Sequence, residues 1–321
     1  MFEFLFYYSR RIIDIWYGSD KTSDKVFEAS ILIKKILFIH AQLASLRQSG
    51  SFGEIKDLFS ELRLLCTRSV DDRVSNLILE NPRVSEIKSD LRNFCSEIEC
   101  DLEKEWGLKA AGDEKVCARI RGNFYFDTYS KLVNAELSVI QSLLSKPIKK
   151  IAFIGSGAMP LTSLCLMGRL TDTPTNISIL NIDRDAEALE ISKILCERLG
   201  SKAQEMEFYL AEAGSSLELE DFDVVYVAAL VGNTQEQKED VLEQVTSRMR
   251  PGALLVTRGG RKLRSLIYTV FDPTTERVSK LLNVAAVIDP QKYNIVNSVF
   301  VGRVKQKSPS SSSTEVEGAK E

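Results

Sequence analysis

Histidine is nearly missing from the chain: there is one, His40, in 321 residues. A His-rich metal site is therefore excluded, and so is a Ser/His/Asp triad unless His40 itself serves. His40 lies in the apolar run IKKILFIHAQLASL, where a histidine belongs to a helix face rather than to a site. The six cysteines, Cys66, Cys95, Cys100, Cys117, Cys165 and Cys196, form no CxxC pair. Most fall in apolar or helical patterns, where cysteine behaves as a small hydrophobe, and this usage fits a reducing compartment. Neither sign of charge is in excess, with 42 Lys and Arg against 45 Asp and Glu and a formal net charge of -3. There is no global electrostatic reason to bind nucleic acid or an anionic membrane. No stretch approaches the roughly 20 apolar residues that span a bilayer. The aromatic N-terminus, MFEFLFYYSRR, carries its arginines after the apolar run, the reverse of a secretory leader. A cytoplasmic protein is the simplest expectation.

What is present changes character near residue 147. Before it, DKVFEASILIKKILFIHAQLASLRQ, FGEIKDLFSELRLLCTR, VSEIKSDLRNFCSEIECDLEKEW and FDTYSKLVNAELSVIQSLLS repeat apolar residues every three or four positions. That is the period of amphipathic helices, and a bundle of four to six helices is expected over residues 1–146. After it, short apolar runs alternate with helical stretches: IKKIAFIG, NISILNID, MEFYLA, FDVVYVAAL, GALLVTRG, LLNVAAVID and NSVFVGRV. The fold class is α/β, with a mostly parallel, doubly wound sheet over residues 147–305. The last two runs read as an antiparallel hairpin turning around Pro290. The Ser-rich segment 306–321 has no periodicity and reads as a disordered tail.

The segment IAFIGSGAMPLTSLCL is a strand, a Gly155-Ser156-Gly157 turn and a helix. Glycine at 155 and 157 lets the backbone turn tightly and approach a ligand, which then meets the amides of the helix start. A lone GxG is also what a plain strand-to-helix turn looks like. The dinucleotide fingerprint needs a third glycine where Pro160 stands, which argues against NAD. A phosphate loop, G-x-x-x-x-G-K, is absent. Asp183 falls at the tip of the second strand, where a carboxylate can accept hydrogen bonds from both ribose hydroxyls. Glu212 falls at the tip of the third, within reach of an adenine amino group. The fourth strand ends in AALVG, with Ala229 in an apolar wall for a flat ring. Ligands of open α/β sheets bind at these carboxyl ends. One glycine turn followed by two strand-tip acids resembles the S-adenosylmethionine site of Rossmann-like methyltransferases.

FIGSGAMPLTS, NIDRD, DVVYVAALVG, RSLIYTVFDP and NSVFVGR, together with FGEIKDLFSELRLLC, LRNFCSEIECDLE and YSKLVNAEL in the helical half, form a specific combination. On these segments the chain resembles the nicotianamine synthase family over residues 50 to 303. It implies an N-terminal helical bundle acting as a lid over a Rossmann-like S-adenosylmethionine-binding domain. It also implies a transferase that joins three aminocarboxypropyl groups from S-adenosylmethionine into nicotianamine, a metal chelator, and releases three methylthioadenosines. By motif it makes Glu103, in CDLEKEW, the catalytic glutamate and Tyr129, in YFDTYSKL, the catalytic tyrosine; Glu99 and Glu105 are one small alignment shift away. Gly155, Ser156, Gly157, Asp183, Glu212 and Ala229 become donor-binding residues, and Tyr125, Arg264 and Tyr268 candidates for substrate binding. The family's YYxNY is Tyr125-Phe126-Asp127-Thr128-Tyr129 here, and Arg261 replaces a histidine of plant members. These departures leave the acceptor open between a methionine-derived group and another amino acid. No cofactor beyond S-adenosylmethionine as substrate is expected, no bound metal, and no nucleic-acid or membrane partner; a homodimer stays open.

In such a reaction an amine attacks a carbon next to the sulfonium, so the amine must first lose a proton. A carboxylate in a partly apolar cleft can take it, because burial raises its pKa toward neutrality. Two other readings share these residues. A small-molecule methyltransferase would use the same glycine turn and acids, and a non-catalytic module would pair a Rossmann domain with a helical docking surface.

Overall fold

A computed structural model describes residues 21–49, 52–123, 125–171, 177–289 and 297–306. The expected tail beyond its first residue, the turn around Pro290 and the aromatic N-terminal segment lie outside these residues. Among the described residues six helices come first: α1 (Lys21–Ser49), α2 (Phe52–Thr67), α3 (Asp72–Leu79), α4 (Pro82–Ala111), α5 (Val116–Arg121) and α6 (Phe126–Leu143). Their boundaries follow local chemistry. Asp71 caps α3 by accepting from the Arg73 amide, and Asn81 caps α4, whose Pro82 occupies the first turn, where a missing amide costs nothing.

The second half alternates β1 (Lys150–Ile154), α7 (Leu161–Leu170), β2 (Ser178–Asp183), α8 (Ala186–Leu199), β3 (Met206–Leu210), β4 (Val224–Val227), α9 (Gln235–Arg248), β5 (Leu254–Gly259), α10 (Glu276–Leu281), β6 (Leu282–Ile288) and β7 (Ser298–Val304). The sheet order is β3-β2-β1-β4-β5-β7-β6. The first five strands are parallel, and β7 runs antiparallel between β5 and β6. The winding reverses between β1 and β4, which opens a crevice at their carboxyl ends.

The change of period at residue 147 does not separate two independent cores. Leu132, Val133, Leu137 and Ile140 of α6 share one core with β1, β4 and β5. The turn after β5 inserts Leu263, Leu266, Ile267 and Tyr268 into the helical core with Ile36, Phe59, Leu62 and Leu91. Arg92 of α4 donates to the Ser265 carbonyl at 2.8 Å and holds that turn in place.

One sequence expectation is corrected here. By length and composition, α1 is apolar enough over Ser23–Arg47 to cross a membrane. Counting uninterrupted apolar residues misses this, because charges punctuate a helix that is apolar on several faces. Its Leu32, Ile36, Ile39 and Leu43 fill the helical core, while Phe27 and Phe38 are exposed. His40 behaves as expected: it faces Asp90 at 2.7 Å and the Phe94 ring, away from the crevice.

Candidate active site

The crevice between the winding halves is roofed by α4 and by the α5–α6 junction. It forms a cavity of about 610 Å³. Its floor is built by Gly155, Ser156 and Gly157 after β1, Asp183 after β2, Glu212 after β3, and Ala228 to Asn233 after β4. Its roof carries Arg63, Glu99, Glu103, Tyr125 and Tyr129, and Tyr268 closes one side. The structure thus brings together every site residue expected from the sequence except one. Arg264 does not line the cavity; its guanidinium pairs with Asp289.

Glycine at 155 and 157 is required by backbone geometry, with φ of +81° and +70°. Gly157 has a second reason. A Cβ there would overlap the carboxylate of Glu103, so its bareness admits a protein side chain and not only a ligand. The Gly157 amide donates to Asp183 Oδ2 at 2.7 Å, and the Asp185 amide donates to Asp183 Oδ1 at 3.0 Å. Asp183 therefore buttresses the turn as well as facing the cavity.

Glu99 and Glu103 lie four residues apart on α4, hence on one face. Glu103 accepts from the Ala158 amide. Burial, then the charges of Glu99 and Asp183, push its pKa up to about 8. Burial also raises Glu99, opposed by the Arg63 charge and by the Tyr268 hydroxyl, which donates to both its oxygens at 2.5 and 2.7 Å. Glu105, the other glutamate an alignment shift would select, points elsewhere and pairs with Lys56 and Lys109. Tyr125 lies under the Arg63 guanidinium, 4.3 Å from its ring centre, and burial raises its phenol to about 12. Burial raises Tyr129 further.

Two groups in or against the cavity, Arg63 and Arg258, escaped the sequence reading, and a third, Glu99, was named there only as an alternative to Glu103. Arg63 sits in an apolar face of α2, and Glu99 precedes Glu103 by one turn. Arg258, near the end of β5, donates to Glu136 of α6 through Nε and Nη2, each at 2.9 Å, and to Thr162 of α7 through Nη1 at 2.9 Å. Its guanidinium lies 5.7 Å from the Tyr129 ring centre. The one available signal was a charge inside an apolar run, as in LLVTRG and KLVNAEL. Among the described residues no group of His, Cys, Asp and Glu is arranged to hold a metal ion.

The sequence profile described as "Nicotianamine synthase protein" matches residues 24–309. A nicotianamine synthase of Solanum lycopersicum is 30% identical over 273 residues, covering 85% of this chain and 83% of that one. Nicotianamine synthase 9 of Hordeum vulgare is 32% identical over 285 residues, covering 88% and 81%. Among solved structures, a glutamate-to-glutamine mutant of MtNAS in complex with S-adenosylmethionine superposes with a TM-score of 0.71 at 18% identity, covering 85% of this chain and 98% of that one. MtNAS in complex with MTA and tNA superposes with a TM-score of 0.70. At that identity the superpositions establish the shared fold, while the profile and the barley relative establish descent: the chain belongs to the nicotianamine synthase family.

Proposed function

We propose that this protein transfers aminocarboxypropyl groups from S-adenosylmethionine and assembles three of them into nicotianamine, releasing methylthioadenosine at each step. The observation that carries this reading is the placement of Glu103, a buried carboxylate pressed onto the glycine turn and beside Asp183, in a chain of this family.

The donor's adenosine lies over the strand tips. Asp183 takes the ribose hydroxyls, Glu212 meets the adenine edge, and Ala229 belongs to the apolar wall. The sulfonium chain runs toward Glu103 and Tyr129. An acceptor amine attacks the γ-carbon of the aminocarboxypropyl group. A C–N bond forms, the carbon–sulfur bond breaks, and sulfur keeps its electron pair as the neutral thioether of methylthioadenosine. The amine's proton goes to Glu103, with Tyr129 orienting the amine. General-base help of this kind contributes about 10²- to 10⁴-fold. Which carbon reacts is a matter of alignment, so the enclosed roof serves positioning. The final transfer is intramolecular and closes a four-membered azetidine ring. Arg63 and Glu99, of opposite charge in the roof, suit the carboxylate and ammonium of an amino-acid acceptor.

The test is to incubate the purified protein with S-adenosylmethionine alone and read the products by mass spectrometry. Methylthioadenosine together with nicotianamine is the expected result. Methylthioadenosine formed only after another amino acid is added keeps the chemistry and changes the acceptor. Adenosylhomocysteine overturns the proposal in favour of methyl transfer, and no product overturns it in favour of a binding module.

A further inference from the structure

Lys238 stands where three physical costs oppose a lysine. Its side chain is fully buried. It lies in the first turn of α9, at the positive end of the helix dipole. Burial pushes its pKa down, and no nearby carboxylate opposes that shift. Its ammonium instead donates to three backbone carbonyls, Ala228 and Ala229 at 3.2 Å and Arg258 at 3.0 Å. An ammonium has three N–H donors, so the acceptors match them in number.

Those carbonyls sit at one particular place in the sheet. The pairing of β4 with β5 ends at Val227 and Thr257. Ala228, Ala229 and Arg258 are the next residues along the two strands, where the chains part and the ladder stops. The loop after β4 then folds back over the start of α9. Gly232, at φ of +83°, comes so close that a Cβ would lie 2.8 Å from the Lys238 amide nitrogen. Ala228, Ala229 and Arg258 line the cavity, whereas Lys238 lies behind them.

We propose that Lys238 is a positioning residue for the donor, its ammonium replacing the missing rungs between β4 and β5 and holding the loop after β4 as the wall that takes the adenine ring. The inference rests on the reading that this cavity binds S-adenosylmethionine. Lys238 neither touches the donor nor moves a proton. It acts through the carbonyls whose residues form the wall.

Lys238→Met removes the donors at similar volume, and Lys238→Gln keeps two of them. Steady-state turnover of S-adenosylmethionine and calorimetric binding of methylthioadenosine are measured for both. The Met variant is expected to raise KM at least tenfold, to hold kcat per folded molecule within threefold, and to weaken methylthioadenosine by the same factor as KM. The Gln variant falls between it and the wild type, and carries the test alone if the Met variant does not fold. A residue serving stability only would lower Tm and the folded fraction while leaving KM and methylthioadenosine affinity unchanged, and that result overturns the proposal. Wild-type protein that binds S-adenosylmethionine without releasing methylthioadenosine refutes the transferase reading, and the binding affinities then decide on Lys238. Wild-type protein that binds neither ligand overturns both.

Discussion

Glu103 is costly to keep ionised, and the cost has a direction. Its pKa of about 8 in the fold exceeds the ordinary carboxylate value, so the folded state holds a proton that the unfolded state gives up near pH 4.5. Stability from this group is complete below pH 4.5 and is lost as pH rises through 8. Glu103→Gln is therefore expected to raise Tm relative to wild type at pH 8 to 9 and to change it little at pH 4. The same variant should lose at least 100-fold in kcat while binding S-adenosylmethionine, because an amide cannot accept the proton. In the wild type, kcat/KM should climb as pH approaches 8, where the free enzyme's base becomes ionised. The inflection in kcat should lie lower, since a bound sulfonium favours the carboxylate. A flat profile from pH 6 to 9 would remove Glu103 from the role of base. Gly157→Ala tests the neighbouring constraint: positive φ and the overlap with Glu103 act together, so turnover should fall by more than tenfold and donor affinity with it.

At the scale of elements, α4 joins the roof to the floor. Gly107, one turn beyond Glu103, lets this helix press on the glycine turn and on α8. A Cβ there would stand 2.6 Å from Ile191 Cγ2 and 2.9 Å from the Ala158 carbonyl oxygen. Lys104 ties the same stretch to Asp185 at 2.8 Å and Glu187 at 2.5 Å, at the start of α8. Gly107→Ala must push α4 outward, because a backbone carbonyl cannot rotate away as a side chain can. The expected cost is about 1–3 kcal/mol in urea unfolding. A drop in kcat larger than any change in donor affinity should accompany it, since Glu103 moves with the helix. Unchanged kcat at reduced stability would mean that α4 and the glycine turn are not coupled.

For the whole molecule, Arg258 connects β5, α6 and α7 through a buried ion pair with Glu136. Removing one partner strands the other charge in the interior, so Glu136→Gln should destabilise the protein by about 3–5 kcal/mol. Chemical denaturation measures this, and a change below 1 kcal/mol would place the pair outside the core. A cavity between floor and roof also couples donor binding to folding. At a ligand concentration 100 times Kd the gain is about 2.7 kcal/mol, so methylthioadenosine should raise Tm in a concentration-dependent manner.

The alternation of apolar periods, 3.6 before residue 147 and strand-like after it, was enough to place the helical half, the seven strands and the closing hairpin. The glycine turn, Asp183 and Glu212 were legible for the same reason: each follows a strand run, and strand tips of an open sheet converge whatever surrounds them. Glu103, Tyr129 and Tyr125 needed the family resemblance, since a glutamate on an amphipathic helix carries no local sign of which way it faces. Tertiary structure alone decided the rest. Arg264 was drawn to Asp289 instead of the cavity, and the turn carrying Tyr268 joined the helical core. Arg63, Arg258 and Lys238 acquired their roles from partners 9 to 122 residues away or from other elements of the fold. Periodicity is a property of a short window, whereas burial of a charge is settled only when distant segments supply its hydrogen bonds.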